Sequence, residues 1–165
     1  MEVTLSAPCL LSEEHETAGF ASGEASLDDW LVRRALPNQR AGASRTFVVS
    51  QGRRMVAYYA LAAGAIACAS AVGRVRRNMP DPVPMAILAR LAVDRSMQGK
   101  GLGRLLFRDA ALRVMSAAES ISVRGLLTHA ISPDAAAFYR ALGLEATPSE
   151  PQTFMITLPD LRAAL

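Results

Sequence analysis

The chain has 165 residues, 51% of them apolar and 20% charged, a balance that suits one globular domain over residues 1–165 and excludes a disordered chain. Its net charge of +3 hides an acid-free stretch from Trp30 to Pro80 with nine arginines, which points to a polyanionic partner. Only Cys9 and Cys68 are present, without the spacing of a metal or redox pair, so both are expected as buried, reduced thiols of a cytoplasmic protein that binds no metal.

No basic segment followed by an apolar core opens the chain, so a signal peptide is not expected. Thr4–Leu11 alternates loosely as a first strand and gives way to the polar segment Ser12–Thr17. The spacing of Leu27, Trp30, Leu31 and Arg34 predicts a helix, with Ser26 as its N-cap, Asp29 three residues on, and Pro37 breaking or bending it. Asn38–Ser44 is a polar link. Thr46–Ser50 then reads as a strand, and Gln51-Gly52-Arg53-Arg54 as the turn into another, Met55–Ala62. The charge-free run Met55–Val72 is too rich in Ala, Gly and Ser for a membrane span, and Ala63–Ser70 fits either continued strand or a helical turn.

Three prolines and a glycine predict a loop over Gly73–Pro84, bearing Arg74, Arg76 and Arg77. Met85–Val93 reads as a central strand in which Arg90 shares a face with Leu88 and Ala92, so its charge needs a partner or a substrate. The helix from Leu102 is expected to turn Leu105, Leu106, Leu112 and Met115 to one side. Ile121–Ala130 is a further strand, with Gly125 marking a bulge or a close backbone approach. Ser132-Pro133-Asp134 starts a short helix that Gly143 ends in a left-handed conformation, and Thr153–Leu158 is the last strand. Strands before, between and after helices predict a mixed α/β sheet.

The richest local signal is Gln98-Gly99-Lys100-Gly101-Leu102-Gly103, between a strand and a helix. Glycines there let backbone approach a ligand while helix N-terminal N–H groups point outward, a phosphate cradle. A nucleotide-hydrolase loop is excluded because Gly101, not a hydroxyl residue, follows Lys100, and the dinucleotide fingerprint is excluded because the third glycine falls one place early. The pattern Gln/Arg-x-x-Gly-x-Gly/Ala is met by Gln98, Gly101 and Gly103, with Ala89–Asp94 before it and Ala135–Leu144 after it. In these motifs the chain resembles the GNAT superfamily of N-acetyltransferases.

That resemblance implies a GNAT fold, a mixed central β-sheet with splayed parallel strands flanked by helices, and acetyl-CoA as co-substrate. It implies that backbone of Leu91, Ala92 and Val93 pairs with the pantetheine arm, and that Gln98, Gly99, Lys100, Gly101, Leu102, Gly103 and Arg104 cradle the pyrophosphate. Ser132 stands where many members have an Asn that contacts the pantetheine region, and it also reads as a helix cap. Tyr139 stands where the family commonly has the acid that protonates the departing thiolate, although its spacing fits a core position too. A phenol is protonated at neutral pH, and an α-amine is partly neutral there, so no strong base is obligatory. His15 and His129 are the other acid–base candidates; neither has an obvious partner in the sequence.

Gly23–Leu31, Asn38–Val49 and Arg76–Pro84 further resemble the GNAT-type toxins of toxin–antitoxin modules. This implies aminoacyl-tRNA as acceptor, a small ribbon-helix-helix antitoxin and a homodimer, with a protein N-terminus or a small amine as the alternative acceptor. Arg74, Arg76 and Arg77 are then the first tRNA candidates, followed by Arg33, Arg45 and Arg90. Trp30 fits either a base-stacking or a core position.

Overall fold

The computed structural model describes residues 4–165. Among them, strands β1 (Cys9–Leu10), β2 (Arg45–Gln51), β3 (Arg54–Ile66), β4 (Val83–Val93), β5 (Gly125–His129), β6 (Glu145–Thr147) and β7 (Glu150–Thr157) form one sheet in the order β1-β2-β3-β4-β5-β7-β6. The pairs β1–β2, β2–β3, β5–β7 and β6–β7 are antiparallel, and β4–β5 is parallel, so the sheet is mixed as expected. The helices are α1 (Ala25–Trp30), α2 (Leu36–Arg40), α3 (Gly73–Arg76), α4 (Leu102–Ala117), α5 (Pro133–Ala141) and α6 (Leu158–Ala164). No helix of the described residues is long and apolar enough to cross a membrane.

The chain divides into two compact units, one reaching Ala62 and taking in Ala89–Ala110, the other comprising Ala63–Leu88 and Ala111–Leu165. In the first, Leu11, Phe20, Leu27, Leu31, Val48, Tyr58 and Ala92 form a buried cluster. In the second, Val75, Val83, Met85, Leu127 and Met155 do so.

Several elements differ from their sequence expectation for identifiable reasons. α1 starts after Glu24 rather than at Ser26, because the Asp28 carboxylate accepts both the N–H and the hydroxyl of Ser22 and closes the helix start itself. Pro37 does not end the helical run. A π turn over Leu31–Ala35 leads into α2, where Pro37 occupies the first turn and its missing N–H costs nothing. The first strand shrinks to Cys9–Leu10, at the sheet edge. β3 runs on through Gly64 to Ile66, and only Cys68–Ser70 makes a helical turn.

The expected loop Gly73–Pro84 contains α3 and the start of β4, because Arg124 donates to the carbonyls of Val75 and Arg74 at 3.0 and 2.8 Å and holds that turn in place. On α4 the buried stripe is Leu102, Leu106, Phe107, Ala110, Ala111 and Val114, whereas Leu105 and Leu112 face outward at 59% and 47% exposure. The stripe follows one helical face and includes Leu106 as expected, but Phe107, Ala110, Ala111 and Val114 rather than Leu105 and Leu112 complete it. β5 is shorter than Ile121–Ala130; Arg124 instead donates its N–H to Pro84 and Ile121 is exposed. Leu158 opens α6 instead of ending the last strand, since the Thr157 hydroxyl accepts the Asp160 N–H.

Cys9 is exposed and Cys68 partly so, which corrects the expectation of buried thiols. The two-residue edge strand offers Cys9 no cover, and the Cys68 thiol donates to the Pro80 carbonyl in the turn after β3. Gly125 does mark a close approach, because a Cβ there would lie 2.0 Å from the Ile156 carbonyl oxygen.

Candidate functional site

In the first unit the site is built on the exit of β4. The register of β4 with β5 runs from Met85 opposite Gly125 to Leu88 opposite Thr128, and Ala89–Val93 continue past that last pair. Ala92 packs into the apolar cluster while Leu91 and Val93 are half-buried. Asp94 then starts a tight turn over Arg95–Met97 by accepting the Ser96 N–H. Its carboxylate also accepts from the Ser96 hydroxyl and the Ala21 N–H, with Arg54 alongside at 3.5 Å. Burial alone would raise this carboxyl, but these donors and the Arg54 charge together hold it below its ordinary value.

Gln98 follows, and its side-chain amide donates to the carbonyls of Ser22 and Val93 at 2.7 and 2.9 Å. Both amide hydrogens are thereby spent on fixing the loop, and the Val93 carbonyl already has a donor. Gly99 and Gly101 have φ of +77° and +81°, the left-handed region that glycine favours, and a Cβ at either would meet nothing within 4 Å. Open space therefore lies over the loop. α4 begins at Leu102, so the first-turn N–H groups of Leu102, Gly103 and Arg104 have no acceptor inside the helix, and Lys100 and Arg104 are exposed cations beside them.

In the second unit, Tyr139 of α5 is 6% exposed and packs on Phe138 and Phe154. Burial raises its phenol above the ordinary value, and a hydrogen bond with the Thr128 hydroxyl opposes that only in part, so the ring keeps its proton through neutral pH. Thr128 in turn donates to the Leu88 carbonyl at 2.8 Å, at the last β4–β5 pair. Ser132 caps α5 by accepting the Ala135 N–H at 3.1 Å. Its hydroxyl proton remains for another acceptor.

The histidines acquire partners that the sequence did not show. His15 Nδ1 accepts the Ser12 N–H at 3.0 Å, and His129 Nδ1 lies 2.9 Å from the Thr153 hydroxyl. Among the arginines of the first unit, Arg33 and Arg45 are exposed and make no ion pair among the described residues. Arg90 lies over the Trp30 ring at 5.1 Å, Trp30 stacks on Tyr58, and the Arg90 guanidinium donates to the Ala89 carbonyl. That aromatic face supplies the partner its charge needs, and Trp30 packs against the core cluster. In the second unit Arg74 pairs with Asp160 at 2.8 Å, while Arg76 and Arg77 are exposed without an ion pair among the described residues.

Residues 42–145 match the model of the acetyltransferase (GNAT) domain family. The chain belongs to the GNAT acetyltransferases. It is 50% identical over 160 residues to a tRNA-acetylating toxin of Mycobacterium tuberculosis, covering 97% of this chain and 96% of that protein. Its fold is similar to the crystal structure of a Tyr-to-Phe mutant of KacT, with a TM-score of 0.90 at 21% identity over 98% and 99% of the two chains. It is likewise similar to AtaT complexed with acetyl-methionyl-tRNAfMet, with a TM-score of 0.88 at 23% identity over 97% and 98%.

For a GNAT enzyme the loop is chemically suited to the co-substrate. Left-handed glycines under open space, helix N–H groups and neighbouring cations make a set of donors and charges able to hold an anion such as a diphosphate. Sequence reasoning missed Asp94, which fixes the β4 exit in the first unit, and Thr128, which bonds Tyr139 in the second. Asp94 was legible as an Asp-x-Ser turn, whereas Thr128 is identified only by the folding of β5 against α5.

Proposed function

We propose that this GNAT acetyltransferase moves the acetyl group of acetyl-CoA to the α-amino group of an aminoacyl-tRNA, as the cytoplasmic toxin of a toxin–antitoxin pair. The observation that carries this reading is the 50% identity, over nearly its whole length, with a tRNA-acetylating toxin. The neighbour AtaT, solved in complex with acetyl-methionyl-tRNAfMet and bound to the C-terminus of the antitoxin AtaR, supports an antitoxin as partner. A ribbon-helix-helix antitoxin and a homodimeric enzyme complete the proposal.

Acetyl-CoA supplies an activated thioester. The N–H groups from Gly99 to Arg104 and the Lys100 and Arg104 charges hold its diphosphate, while Gln98 acts on the loop rather than on the ligand. The backbone of Leu91 and Ala92 and the Val93 N–H pair with pantetheine, and Ser132 donates its free hydroxyl proton there. Tyr139, kept protonated by burial, gives its proton to the departing sulfur. Arg33, Arg45, Arg76 and Arg77 contact tRNA phosphates. Arg74 and Arg90 are more constrained by Asp160 and Trp30.

Purified protein incubated with acetyl-CoA and a charged tRNA pool is expected to yield acetyl-aminoacyl-tRNA. Its absence with every isoacceptor, or a preference for peptide N-termini or polyamines, overturns the assignment. Tyr139→Phe is expected to lower kcat by roughly 10²-fold, within the span of general-acid effects. The affinity for acetyl-CoA, measured by calorimetry, should stay within about twofold, because the substitution leaves the loop untouched.

A further inference from the structure

We propose that His129 is the base that takes the proton of the incoming amine, with Thr153 and Glu150 fixing its imidazole; this rests on the acetyl-transfer reading above. His129 closes β5 and is the first residue after Thr128, where β4 and β5 are last paired. Consecutive strand residues point to opposite faces, with Cα atoms 3.8 Å apart. Thr128 turns toward Tyr139, and its register partner Phe154 also packs on that ring. His129 turns the other way, toward its own register partner Thr153. The acid and the base thus flank one strand end from its two faces.

The hydrogen bonds determine which imidazole nitrogen is free. Thr153 is 4% exposed, and its single hydroxyl proton goes to Glu150 Oε2 at 3.1 Å, since a carboxylate only accepts. Its oxygen must therefore accept from His129 Nδ1 at 2.9 Å. The proton is held on Nδ1, and Nε2 presents a lone pair from an exposed side chain. Glu150 on β7 is the one ionisable group joined to this imidazole among the described residues. His–Thr–Glu is an orienting chain of the same logic as a base steered by a third group.

The balance is simple. The ammonium of the acceptor gives one proton to Nε2, and its freed lone pair attacks the thioester carbonyl carbon. The C–N bond forms and the C–S bond breaks, its electron pair leaving on sulfur, which takes the Tyr139 proton. The second proton lost by nitrogen returns the phenol to its starting state through solvent, and His129 releases the first. One net proton leaves per turnover.

His129→Gln keeps an N–H for Thr153 but cannot take a proton. At pH 7 and saturating acetyl-CoA its kcat is expected to fall about 10²-fold. The deficit should shrink toward pH 9, where the α-amine is already neutral. Imidazole in the buffer should restore part of the activity of His129→Ala. Thr153→Val should lower kcat and Thr153→Ser recover it, with thermal melting showing that each variant is folded. A His129→Gln enzyme as fast as wild type at pH 7, or a loss independent of pH and not rescued by imidazole, overturns the proposal. Wild-type protein that acetylates no aminoacyl-tRNA defeats the functional reading instead. The same variants are then compared on a peptide N-terminal amine, whose proton His129 would take in the same way.

Discussion

Asp94 illustrates how much of the site depends on a residue that touches no ligand. At 4% exposure it accepts from Ala21, from Ser96 twice and from Arg54, tying the end of β4 to the segment before α1. Its carboxyl lies below the ordinary range in the folded state, where burial is outweighed by these donors. The unfolded chain then binds more protons between the folded value and about 3.9, so the stabilisation is complete above that pH and is lost as pH falls through the folded value. Asp94→Asn is expected to cost roughly 2 kcal/mol at pH 7, the scale of hydrogen bonds to a charged group, and to flatten the loss of stability below pH 4. Urea unfolding at pH 7 and pH 3 measures both effects; a variant with the wild-type acid slope would remove Asp94 from this role. At this scale the sequence was legible where the signal is local. The Asp-x-Ser turn, the Ser132 cap and left-handed Gly143 follow from adjacent residue types. The link from Tyr139 to Thr128 and the double duty of the Gln98 amide depend on chain segments that meet only in the fold.

The glycine loop and α4 show the same division between local and distant causes. Gly99 and Gly101 were visible in the sequence because the left-handed backbone they adopt is written into residue type. The buried stripe of α4 was visible only at Leu106, because Leu105 and Leu112 look like core residues until Phe107, Ala110 and Ala111 are seen to make the contact. α3 was hidden for a related reason, since its clamp is Arg124, about fifty residues downstream. The openness above Gly101 separates two effects that a substitution would otherwise mix. Alanine there meets no protein atom within 4 Å and carries only the strain of the left-handed conformation, about 1–2 kcal/mol. Aspartate adds a negative charge where the diphosphate is proposed to sit. Urea unfolding should find Gly101→Ala less stable by about 1–2 kcal/mol, and titration calorimetry should find its acetyl-CoA affinity little changed beside that of Gly101→Asp, which should show no detectable binding. Unchanged affinity in Gly101→Asp would refute the placement of the diphosphate.

Across the whole molecule, the acid-free stretch from Trp30 to Pro80 overstates the free positive charge. Acids from outside it return in the fold: Glu13 pairs with Arg40, Glu16 with Arg53, Asp94 with Arg54 and Asp160 with Arg74. A count along the chain therefore identifies a basic segment without identifying the cations available to a polyanion. Arg33, Arg34, Arg45, Arg76 and Arg77 remain without an ion pair among the described residues, although Arg34 donates to the Asn38 side chain, and they are the ones able to displace counterions from phosphates. Each phosphate contact adds about 0.7–0.9 to the slope of log affinity against log salt. Replacing both Arg76 and Arg77 by Ala should flatten that slope for tRNA by roughly 1.4–1.8 between 50 and 200 mM salt. Arg74→Ala should change it less, because Asp160 already offsets that charge. Filter binding over the same salt series distinguishes the two cases. Equal slopes for wild type and the double variant would place the tRNA contacts elsewhere, whereas a full effect at Arg74 would mean that its pair with Asp160 opens when RNA binds.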